Sequence, residues 1–112
     1  MNDQVPSVET IVNKTAELLK IPRQVLLNTN HRTRGVSDAR HTAYYLCNKL
    51  TLLSDTKIGE ALGGVDHTSV RWGRIKSQKR ANADPAYMQM VVGIIDAIEG
   101  TDHGQANTVF GL

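Results

Sequence analysis

The sequence predicts an all-α fold of five to six helices, with a helix-turn-helix near residues 54–80. Three observations carry that prediction. Aromatics make up only 4% of the chain, and residues that favour helix are abundant. Apolar residues recur at i, i+3 and i+4 in one segment after another. Two short helical segments meet at Gly63-Gly64, and the second opens with polar residues and carries arginine and lysine.

The elements follow in order. Ser7 can cap a first helix to Leu19, with Val8, Ile11, Val12, Thr15 and Leu19 on one face. Pro22 suits the first position of a short helical turn that carries Val25, Leu26 and Leu27 inward. Asn28 to Gly35 reads as a polar, donor-rich loop in which Gly35 lets the backbone turn sharply. Ser37 or Asp38 then caps a helix to about Leu50, its apolar face being Ala43, Leu46, Cys47 and Leu50. Ser54 caps a short helix from Asp55 to Leu62 with Ile58, Ala61 and Leu62 inward. Gly63-Gly64 supplies the left-handed turn that stops it. Asp66 caps the next helix, from His67 to about Arg80. Asp84-Pro85 opens a closing helix rich in apolar residues from Tyr87 to Ile98, ended by Gly100. That helix is either core or a partner-binding face. Residues 1–100 are expected to form one domain and residues 101–112 a flexible tail.

Composition excludes several classes. With 40% apolar and 21% charged residues, the chain of 112 residues is globular in character and of one-domain size. Its single cysteine, Cys47, leaves no internal disulfide and fits a reducing compartment. No apolar run approaches the roughly 20 residues of a membrane helix, and no signal peptide is read, so a cytoplasmic, nucleoid-associated protein is expected. The four histidines lie far apart and no cysteine pair exists, so no metal or other cofactor is expected. Asp66, His67 and Ser69 are too close on one helix start to form a hydrolytic relay, and no enzyme is expected.

Charge is uneven along the chain. Residues 31–80 hold ten Lys/Arg against four Asp/Glu, whereas residues 81–112 hold four acids and no Lys/Arg. A basic middle is what a phosphate-facing surface gives, and also what a solvated face gives. The segment Gly63-Gly64-Val65-Asp66-His67-Thr68-Ser69-Val70 favours the first. A helix N-terminus presents free N–H groups and a positive dipole end. His67, Thr68 and Ser69 put short hydrogen-bonding side chains there, and Asp66 can accept from a cytosine amino group. Trp72 has two readings, a backbone contact or core packing.

That segment resembles the signature Gly-Gly-Arg-Asp-His-Thr-Thr-Val of the C-terminal DNA-binding domain (domain IV) of the DnaA family. Residues Ile11 to Leu27, Arg32 to Val36, Arg40 to Thr51 and Ser54 to Leu62 resemble the same domain in the same order, so the likeness spans roughly residues 8–80. It implies a Trp-repressor-like helical fold that binds double-stranded DNA at DnaA-box-like sites and regulates replication initiation or transcription. It further implies roles by position. Asp66, His67, Thr68, Ser69, Val70 and Gly73 would read the major groove. Arg34 would enter the minor groove. Arg32, Lys49, Thr51, Arg71 and Arg74 would meet phosphates, although the family's lysine falls on Asn48. Replication initiation proteins are the implied protein partners. An adaptor that binds those proteins through residues 85–99, with weak DNA contact, is the alternative.

The departures are specific. Val65 stands for the signature arginine, Ala39-Arg40-His41 for Pro-Arg-Gln, and Thr56 for a proline. Arg71 and Trp72 replace less basic and less bulky residues. No Gly-x-x-x-x-Gly-Lys-Ser/Thr phosphate loop occurs, so a stand-alone domain without the ATPase module is expected.

Overall fold

A computed structural model describes residues 5–102. Among these residues the elements are six helices: α1 (Val8–Leu19), α2 (Arg23–Leu27), α3 (Arg34–Leu50), α4 (Asp55–Ala61), α5 (His67–Ala83) and α6 (Pro85–Asp102). The all-α prediction holds. The expected tail lies outside the described residues from 103 onwards.

Local chemistry explains most boundaries. Ser7 Oγ accepts the N–H of Thr10 at 3.0 Å, and Ser54 Oγ accepts that of Lys57 at 3.2 Å, so both serines cap as predicted. Asp84 Oδ1 accepts the N–H groups of Ala86 and Tyr87, which opens α6. Gly63 and Gly64 have φ of 96° and 97°, a region other residues rarely enter, and they end α4.

Two boundaries differ from the prediction. Helix α3 begins at Arg34, with Thr33 at its N-cap, several residues before Ser37 or Asp38. Gly35 lies inside the helix and makes no sharp turn. Buried Arg40 accounts for the early start. Its Nε donates to the carbonyl of Leu26 at 2.8 Å, and its Nη2 to those of Asn28 at 2.6 Å and His31 at 2.9 Å. The loop is thereby finished against α3 by His31. Helix α6 continues through Gly100, since one glycine weakens a helix by only about 1 kcal/mol.

The core is one cluster fed by every helix. Ile11 and Val12 of α1, Leu26 of α2, Leu46 and Cys47 of α3, Ile58 of α4, Val70 of α5 and Val91, Ile94 and Ile98 of α6 meet in it. Ala61, expected to face in, is exposed. Cys47 is core, and burial pushes its thiol up to about 12, which leaves it unreactive near neutral pH. A buried hydroxyl chain ties α3, α5 and α6. Thr42 Oγ1 donates to the carbonyl of Asp38, so Tyr87 Oη donates to Thr42 and Ser77 Oγ donates to Tyr87.

Candidate nucleic-acid interface

Helix α5 is positioned by its inner face. Val70, Gly73, Ser77 and Ala81 are buried at helical spacing, and α5 packs most extensively on α3. A Cβ on Gly73 would stand 2.6 Å from His41 Cδ2 and 2.7 Å from Tyr44 Cδ2, so glycine sets how closely the two helices approach. Burial first, and then the nearby charge of Lys76, lower the pKa of His41 and favour its neutral form against α5.

The turn between α4 and α5 is equally constrained. The carbonyl of Gly59 accepts the N–H groups of Gly64 at 3.0 Å and Val65 at 2.9 Å. A Cβ on Gly59 would lie 2.0 Å from the carbonyl oxygen of Val65. Across the pair, Arg74 donates twice to the carboxylate of Asp55, at 2.7 and 3.0 Å. These contacts fix the crossing of α4 and α5.

The outer end of α5 is open. Asp66, His67, Thr68 and Ser69 are all exposed. Asp66 occupies the N-cap position, but its side chain caps nothing; Oδ1 lies 3.3 Å from His67 Nδ1. Among the described residues, no acceptor meets the N–H groups of His67 and Thr68. Two unfilled donors and four short polar side chains therefore share one exposed helix start.

The cations of residues 31–80 divide into two sets. Arg40 is held by backbone carbonyls, Arg74 by Asp55, Arg80 by Asp38 at 3.4 Å and Lys57 by Glu60 at 3.5 Å. Arg32, Arg34, Lys49, Arg71, Lys76 and Lys79 form no ion pair among the described residues. Arg32 sits between two surface hollows. One, of about 260 Å³, it shares with Ser69 and Trp72; the other, of about 330 Å³, with Gly64, Val65 and Asp66. The loop held by Arg40 thus brings Arg32 beside the start of α5. Arg34 is exposed on the first turn of α3 and lines neither hollow. Lys49 is exposed in the last turn of α3.

Four expected contacts need correction. Val70 is fully buried and offers nothing to a base edge. Gly73 faces α3, so its lack of bulk serves helix packing rather than approach to DNA. Thr51 is buried, and its hydroxyl is taken: Oγ1 donates to the carbonyl of Cys47 and accepts the N–H of Leu53. Arg74 spends its guanidinium on Asp55. Lys76 and Lys79 are further exposed cations of α5, and Trp72 proves exposed, not core. Carrying the helical period past residue 70 would have put Thr68, Arg71, Trp72 and Lys79 on one outward stripe.

The family described as "Bacterial dnaA protein helix-turn-helix" matches residues 8–81. The chain belongs to the bacterial DnaA helix-turn-helix family. Proteins named chromosomal replication initiator protein DnaA are among its relatives. The one from Jannaschia sp. is 38% identical over 82 residues, 73% of this chain and 17% of the relative. That from Leifsonia xyli is 40% identical over 75 residues, 67% of this chain and 16% of the relative. That from Rippkaea orientalis is 36% identical over 105 residues, 93% of this chain and 23% of the relative. The chain therefore spans a quarter or less of the length of these relatives, and the last alignment is long enough to include α6.

Within the matched residues, α4, the Gly63-Gly64 turn and α5 follow in helix-turn-helix order. The family is one of DNA-binding helix-turn-helix domains, not an enzymatic one. No helix among the described residues is long and apolar enough to cross a membrane.

Proposed function

We propose that this chain binds double-stranded DNA sequence-specifically at DnaA-box-like sites, and so acts in replication initiation or in transcription control. The observation that carries the reading is the open start of α5, with two unfilled N–H groups and four exposed polar side chains, beside unpaired Arg32 and Arg71. In this reading α5 enters the major groove end-on. Asp66, His67, Thr68 and Ser69 meet base edges, while Arg71 reaches a groove wall. Arg32 and Lys49 hold phosphates on either side. Arg34, unpaired on the first turn of α3, enters the adjacent minor groove, where an A·T-rich stretch has an enhanced negative potential. The replication role comes from the relatives' name, chromosomal replication initiator protein. Their whole-protein activities would need parts that these 112 residues do not span.

The adaptor alternative has less behind it, because α6 turns Tyr87, Val91, Ile94 and Ile98 into the core and, of its large apolar residues, exposes Val92. Selection of bound duplexes from a random pool tests the proposal. It should enrich one short motif with an A·T-rich flank. A pool that emerges unenriched would remove sequence-specific binding.

A further inference from the structure

Trp72 is the only tryptophan of the chain, and 67% of it is exposed. An indole is among the largest apolar surfaces a side chain can bury, so its standing in water on an ordered helix is informative. It borders the hollow of about 260 Å³ that His41, Tyr44 and Ser69 also line, and is not packed in the core. It follows Thr68 by four residues, so it lies on the same outward stripe about 6 Å further along α5. Arg71 and Lys79, both without ion pairs among the described residues, lie on that stripe with it. An apolar ring thus stands within a basic surface, one turn in from the helix start that the proposed function puts in the major groove.

The chemistry of the ring limits what it can read there. Indole offers one N–H donor and no acceptor, so it cannot make the paired hydrogen bonds that distinguish guanine or adenine. Only one apolar group projects from base edges into the major groove, the 5-methyl of thymine. We propose that Trp72 is a specificity-determining residue whose ring packs on a thymine methyl, one helical turn along from the bases met by His67 and Thr68. The inference rests on the proposed duplex reading and extends the stretch that α5 reads.

The test is a thymine-to-uracil scan of the selected duplex, which removes one methyl at a time, read with wild type, Trp72→Ala and Trp72→Gln. Both variants should keep the wild-type circular dichroism, since the ring is exposed. At one thymine, uracil should weaken wild type about fourfold, the worth of one buried methyl-sized group. Both variants should be indifferent to uracil at that thymine while responding as wild type elsewhere. If the variants keep the wild-type scan at every thymine, or weaken all duplexes alike without losing a position, Trp72 reads no methyl and the inference is overturned while duplex binding stands. If wild type binds no duplex at all, the proposed function falls and this inference with it.

Discussion

His67 and Lys49 are both exposed, yet they stand where different parts of a duplex would lie. His67 opens α5, its Nδ1 beside the Asp66 carboxylate, which leaves Nε2 free to face outward. Lys49 ends α3 as a flexible point charge. His67→Ala should cost about 1–3 kcal/mol on the selected duplex and little on random DNA, relaxing sequence choice. Lys49→Ala should weaken all duplexes alike. Titration of both variants on selected and random duplexes checks this; an equal loss on both for His67→Ala would remove it as a base reader. At this scale the sequence was partly legible. The caps Ser7, Ser54 and Asp84 and the glycine turn could be read because each acts through near neighbours in the chain. The places of Val70, Gly73, Thr51 and Arg74 could not, because each is set by a partner on another part of the fold or by the direction a helix turns. The likeness to a family named those positions without saying which way they face.

Helices α4 and α5 act as one element because of Gly59 and the Asp55–Arg74 pair, and neither was visible from spacing alone. Nothing in the residue spacing marks Gly59; the return of the chain at Val65 shows why it has no side chain. Gly59→Ala would gain about 1 kcal/mol in helix propensity. It would also force a Cβ against a backbone oxygen that cannot rotate away. The clash should win, with a net loss of about 2–3 kcal/mol or more in urea unfolding. An unchanged midpoint would mean that the turn is not held as described. The hydrogen bond from Arg74, with its charge, holds the Asp55 carboxyl below the usual carboxylate range. A carboxyl with a depressed folded pKa adds stability that is complete above its unfolded value, near 3.9, and is lost as pH falls through the folded one. Asp55→Asn should therefore be less stable than wild type at neutral pH, and the gap should close as pH drops below about 4. Unfolding midpoints of both proteins across pH 2–7 read this directly; a gap independent of pH would assign the pair's effect to packing. The start of α3 was misread for a related reason: Arg40 ends the preceding loop through carbonyls up to 14 residues away in sequence.

Across the whole molecule, charge and shape separate two ends. The acids Asp96 and Glu99 ride on α6, which packs against α1 and the part of α5 around Ser77, roughly 15 Å along the helix from His67. Between residues 31 and 80 the unpaired cations lie on α5, on the loop that Arg40 anchors and at the two ends of α3. The sequence anticipated this asymmetry as a basic middle and an acidic end. It could not tell which cations are spent inside the fold, since Arg40, Arg74 and Arg80 look no different in sequence from Arg32 and Arg71. What remains should act as an electrostatic footprint, with specificity added by the start of α5. The most direct measurement is the affinity of wild type for its selected duplex and for a scrambled duplex over a range of salt concentration. If about four phosphates are contacted, log K should fall with log salt at a slope of roughly −3.6 on the selected duplex, and the preference for it should persist throughout. A slope near zero, or equal affinity for the two duplexes, would contradict the account.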